Sequence, residues 1–136
     1  MAYHHHIEGG RRLALVTFRG PLDGAEIAAA TERLYANPLW EYGSDAIWDF
    51  RMIRGLHLNV GHLPALVELD RRFAAVAGPG IDLLVTAKEL HHGLARLHAH
   101  LSRKGPRTVI ACRSMEEAEE TLARTRASVV RPGAAA

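Results

Sequence analysis

The chain has 136 residues and a formal net charge of +2, from 17 Lys+Arg against 15 Asp+Glu. That near balance is too small for the basic footprint of a nucleic-acid binder, and no apolar run approaches the roughly 18 residues of a membrane span. The single cysteine, Cys112, excludes an internal disulfide framework and a multi-cysteine zinc site. The length suits one domain, expected over residues 1–130, with the aperiodic stretch RPGAAA at 131–136 as a disordered tail. The opening MAYHHHIEGG has no apolar signal core, and with a lone cysteine the expected location is cytoplasmic.

Residues 3–8 read as a short strand, and Gly9-Gly10 offers the positive φ of a tight hairpin into a second strand at 13–18. Gly20-Pro21 is expected to end that strand. Asp23-Gly-Ala-Glu26 then forms a capping box, and Ile27, Ala30, Thr31, Leu34 and Tyr35 follow at helical spacing up to Asn37-Pro38. A third strand is expected at 46–50 (AIWDF), and a helix begins near Asn59, with Pro64 in its first turn or a little beyond. Gly78-Pro79-Gly80 breaks the chain before a strand at 81–86. Residues 88–104 form the clearest amphipathic helix, with Leu90, Leu94, Leu97 and Leu101 as its apolar stripe. A last strand at 108–112 leads through the capping box Ser114-Met-Glu-Glu117 into a C-terminal helix. The order ββαβαβαβα predicts an α/β domain: a mixed five-stranded sheet, antiparallel only in its first hairpin, flanked by four helices.

This order, with the segments VTFRGPLDGAEI, AIWDFRMIRGLHLN, LLVTAKELHHGLARLHAH and VIACRSMEEAEETL, resembles the SpoIIAA-like branch of the STAS/Sec14-type domains. The resemblance runs from about Leu13 to Leu122 and implies a STAS-like sheet, usually without a cofactor. In the antagonists of this kind a serine near the start of the helix after the third strand is phosphorylated. Here the matching stretch is Gly55-Leu-His-Leu-Asn59-Val-Gly61, which has no serine, threonine or tyrosine. The resemblance therefore arrives without its phosphoacceptor, and Asn59 has a plainer use as an N-cap.

Several residues invite a functional reading. In open α/β sheets the carboxyl ends of parallel strands gather loops and helix N-termini, which suit anions. The side chains expected there are Arg51, Arg54, His57 and Asn59 after the third strand, Lys88 after the fourth, and Arg113 and Ser114 after the fifth. Solvated loop charges and two helix caps would produce the same residues. Nine histidines raise the question of a metal, but His91 and His98 stand seven apart, roughly 10 Å along a helix, and cannot easily share one ion. His92 is expected to point away from the leucine stripe. Asp49 at a strand end lacks the companions of a phospho-accepting aspartate and should instead tie down the following loop. Cys112 beside Arg113 and a helix start has an electropositive setting, yet a cysteine closing the strand TVIAC more often packs. Trp48 should lie under a helix, while Trp40 and Tyr42 could form a contact patch.

No catalytic set, metal site or cofactor is expected. The leading expectation is a non-enzymatic STAS-like regulatory or protein-interaction module, acting through a protein partner or as a homodimer. The alternative is a carrier or sensor of a lipid or small anionic ligand, held between the sheet and helix 88–104.

Overall fold

A computed structural model describes residues 3–128; the tail expected to be disordered lies outside them. Five strands, β1 (Tyr3–Glu8), β2 (Leu13–Asp23), β3 (Asp45–His57), β4 (Ile81–Val85) and β5 (Thr108–Cys112), form one sheet in sequential order. β1 runs antiparallel to β2, and every later pair is parallel. The helices are α1 (Gly24–Ala36), α2 (Leu63–Arg72), the single turn α3 (Ala74–Ala77), α4 (Glu89–Leu101) and α5 (Met115–Ser128). The predicted mixed sheet and its element order are thus present.

Strand periodicity sorts the core. Ala14, Val16, Phe18, Ala46, Trp48 and Leu84 face one side, where they pack with Ala30 and Leu34 of α1, Ala77 of α3 and Ala95 of α4. Leu13, Ile47, Leu83, Val85 and Cys112 face the other, against Ala118 and Leu122 of α5. Sequential parallel strands joined by crossovers of one hand place the intervening helices on a common face, which leaves α5 to cover the reverse.

Four local expectations change. The positive φ after β1 falls on Arg12 (φ 50), not on Gly9 or Gly10, because a 3-10 turn over Gly9–Arg11 uses both glycines. Gly20-Pro21 does not end β2. Gly20 takes φ 66, and the register slips beside it so that Pro21 lies opposite Gly55, leaving Arg54 as the extra residue of a bulge. A bulge is one of the few places where proline is tolerated within a sheet. A second slip, where Thr17 faces Asp49 but Arg19 faces Met52, adds another extra β3 residue. β2 and β3 therefore continue past the end of β4 as a bent two-stranded ribbon. Third, the helix expected near Asn59 opens with a 3-10 turn, Val60–His62, capped by Asn59 accepting from the Gly61 amide; α2 follows with Pro64 in its first turn. Lastly, the leucine stripe of α4 is not its buried face: Leu90 is 75% exposed, whereas His91, His92 and Ala95 are buried.

Candidate functional site: a cavity under α4

Because α4 turns His91 and Ala95 inward, its contact with the sheet is incompletely filled. A cavity of about 90 Å³ lies between the helical face of the sheet and helices α2 and α4. Trp48, Leu84 and Val109 form its floor, Leu63 and Leu66 of α2 one wall, and Leu94, Ala95 and His98 of α4 the other. Ile53 and Leu56 reach it from the β2–β3 ribbon, so the bulges that bend the ribbon also bring apolar side chains over the opening. An engineered cavity of about 150 Å³ holds benzene, and drug-sized sites start near 300 Å³. This cavity is of a size for a group of a few carbons.

Its polar members sit at two ends. Near the start of α4, Thr86 and His91 line the space. Thr86 is hydrogen-bonded to Nδ1 of His92 at 3.3 Å, so His92 is buried in a structural contact rather than pointing away. His91 is 8% exposed and makes no hydrogen bond among the described residues. Burial, helped by the nearby positive charge of Lys88, holds its imidazole below the usual histidine range, so it is neutral near pH 7. At the other end, Nε2 of His98 lies 3.4 Å from the Asp70 carboxylate and bridges α4 to α2. Burial raises the Asp70 carboxyl, and its hydrogen bond to His98 works against that shift. His91 and His98 thus stand at opposite ends of one cavity.

The residues expected at the strand ends divide by partner. Arg51 is taken up by Asp49 through Nε–Oδ1 and Nη2–Oδ2 contacts of 2.9 Å, and the Arg51 amide also donates to Asp49. Both residues lie within β3, so Asp49 secures the first bulge of that strand and not a following loop. Arg113 grips Glu89 with two 3.0 Å hydrogen bonds, and Ser114 caps α5 by accepting from the Glu117 amide. Asn59 is a cap. Arg54, His57 and Lys88 are exposed and have no ion-pair partner among the described residues. None of the seven lines the cavity, and the structure commits four of them to other partners.

Cys112 is fully buried, and burial and Glu117 push its thiol up, opposite to the activation that Arg113 and a helix start would produce. Trp48 is buried and donates from Nε1 to Asp82. Trp40 stacks edge-on to Tyr35, with the Arg107 guanidinium over its ring, while Tyr42 is exposed. Among the described residues, no three His, Cys, Asp or Glu side chains come together as metal ligands, and no helix is long and apolar enough to cross a membrane.

Sequence reasoning weighed His91 only as a metal ligand, and put a ligand between the sheet and helix 88–104 without naming the residues that line the space. The available signal was that histidines 91 and 98, with Ala95 midway, occupy one helical face where bulkier apolar residues would fill the space.

No protein-family model and no curated protein matches the chain. Solved structures do. The anti-sigma factor antagonist SpoIIAA in its unphosphorylated form is 17% identical with a TM-score of 0.54, covering 95% of this chain and 100% of that one. An uncharacterised protein of the DUF3478 family from Shewanella loihica PV-4, with a SpoIIAA-like fold, is 13% identical with a TM-score of 0.55, covering 89% and 92%. The superpositions cover nearly the whole of both chains, and on that ground this protein has the SpoIIAA/STAS-like fold.

Proposed function

We propose that the protein is a non-enzymatic STAS-like regulatory module in which a small ligand with an apolar body occupies the cavity between the sheet and helices α2 and α4. Occupancy sets how α2 and α4 stand apart, and with them the surface offered to a protein partner. The single observation that carries this reading is the 90 Å³ apolar space left where α4 presents His91 and Ala95 to the sheet. The stretch 55–61 contains no hydroxyl side chain, which supports a switch other than phosphorylation of that turn. The size of the space supports a small molecule over a two-chain lipid.

Trp48 reports directly on the cavity it lines. In a Trp40→Phe background, titration with 1-hexanol is expected to shift and saturate Trp48 emission. Native mass spectrometry of gently purified protein is expected to show retained mass. A chain that carries no added mass, and whose Trp48 emission is unmoved by 1-hexanol, would contradict the reading.

A further inference from the structure

Past His98 the cavity adjoins a second space of about 30 Å³ under the C-terminal end of α4, the two sharing Asp70, Asp82 and Val109 as walls. Two side-chain atoms here are buried and without a hydrogen-bond partner among the described residues. They are Nδ1 of His98, which lines the cavity, and Oγ of Ser102, which lines the smaller space. Ser102 is 9% exposed and stands one helical turn beyond His98, on the same face. Folded proteins leave few such atoms, and each costs stability until a partner reaches it.

The chemistry at this junction is one-sided, because the donors around it are spent. Arg107 gives its guanidinium to Asp82 and to the carbonyls of Gly78 and Ser44, Trp48 donates from Nε1 to Asp82, and exposed Arg71 is paired with Glu68. Nε2 of His98 faces the Asp70 carboxylate at 3.4 Å and so carries the proton of the neutral imidazole, which leaves Nδ1 a lone-pair acceptor. The Ser102 hydroxyl can accept as well. With Asp82 matched by Arg107, the Asp70 carboxylate leaves the walls one negative charge in excess. The last turn of α4 ends at Leu101, so the negative end of its dipole adds to the same sign.

Resting on the reading of the cavity as a ligand site, we propose that this junction binds the ammonium head of a short-chain primary amine. The head donates to His98 Nδ1, Ser102 Oγ and the Asp70 carboxylate, three acceptors for its three N–H bonds. Its carbons run back into the cavity against Leu94, Ala95 and Val109. The smaller space is of a size for a head group no larger than one or two water molecules.

The test compares hexylamine, protonated at neutral pH, with 1-hexanol, hexanoate and methylamine, by calorimetry and by Trp48 emission on the full chain in the Trp40→Phe background. Hexylamine is expected to bind about tenfold tighter than 1-hexanol, because charge-assisted hydrogen bonds replace neutral ones. Hexanoate should bind about tenfold weaker than 1-hexanol, since its charge meets one of like sign, and methylamine weakly for want of apolar contact. Asp70→Asn, which keeps the shape and removes the charge, should take about tenfold from hexylamine affinity while 1-hexanol stays within about twofold. Ser102→Ala should take about threefold from hexylamine affinity; it deletes a buried hydroxyl that has no partner, so it folds even if Asp70→Asn does not. Equal affinity for hexylamine and 1-hexanol, or a preference for hexanoate, would overturn the head site while leaving the cavity reading intact. Binding of none of the six-carbon probes would overturn both. A hexylamine preference that survives Ser102→Ala and Asp70→Asn undiminished would put the ammonium elsewhere and overturn this assignment.

Discussion

The two edges of the same parallel sheet treat charge in opposite ways. Where the strands begin, the buried guanidinium of Arg107 and that of Arg126 are both consumed. Arg107, 8% exposed, holds Asp82 through Nε–Oδ2 at 2.8 Å and Nη2–Oδ1 at 3.1 Å, and it donates to the carbonyls of Gly78 and Ser44 at 3.0 and 2.9 Å. Beside it, fully buried Asp45 accepts from the Ile81 amide at 2.8 Å and from Arg126 at 2.7 Å. These contacts join β3, β4, the 78–80 turn and α5, so that edge is a clamp. Towards the strand ends Arg51 and Arg113 are paired, but Arg54, His57 and Lys88 are without ion pairs among the described residues, and the helical side opens into a cavity. A buried charge has to be matched to be tolerated, so saturation marks the structural edge.

Substitutions should separate the edges clearly. Arg107→Ala strands the Asp82 carboxylate in the interior and is expected to cost about 3–5 kcal/mol in urea unfolding. Replacing both partners, Arg107→Met with Asp82→Leu, should cost less than Arg107→Ala alone, since no uncompensated charge remains; an equal or larger loss would show that the carbonyl contacts, not the pair, hold the clamp. Asp45→Asn weakens the bond to Arg126 while keeping the acceptor for Ile81, for an expected loss of about 1–2 kcal/mol by the same measurement.

At the other edge the effects should be on binding instead. Ala95→Leu fills the cavity; added burial and local crowding should nearly offset, leaving stability within about 1 kcal/mol, while Trp48 no longer responds to 1-hexanol. Lys88→Ala should change unfolding by less than about 0.5 kcal/mol. A loss comparable to that of Asp45→Asn would mean that this edge too is structural.

Cys112 offers the smallest signal and a check on the face opposite the cavity. Its raised thiol pKa means a smaller thiolate fraction at any pH below that value, and its side chain is fully buried. Iodoacetamide at neutral pH should therefore leave the folded chain almost unmodified and label it promptly in denaturant, with the extent read by intact mass. Rapid labelling of the native protein would show that α5 does not stay on its side of the sheet.

Much of the architecture was legible in one dimension because its causes are local. Asp23 and Ser114 cap their helices through Oδ1 and Oγ at 2.8 and 3.0 Å, as their spacing to Glu26 and Glu117 foretells. Gly78, at φ 73, breaks the chain where the 78–80 triplet promises a break. The errors fall where a long-range contact overrules a local habit. Pro21 reads as a stop, yet β3 pairs past it through bulges. Leu90 and Leu101 read as the inner face of α4, yet packing against β5 and α2 rotates His91 and Ala95 inward. Of the expected strand-end residues, Arg51 and Arg113 could not be known to be occupied, since their partners Asp49 and Glu89 are chosen by the bulge in β3 and by the crossing of β5 beside α4.

Read alone, the amino-acid order determined the succession of strands and helices and the parallel sheet with one antiparallel hairpin, because periodicity, caps and breakers act within a few residues of themselves. Tertiary structure alone decided how α4 is rotated, which charges are neutralised and where the interior stays empty. A cavity is the remainder after distant side chains have packed, and no stretch of sequence contains it.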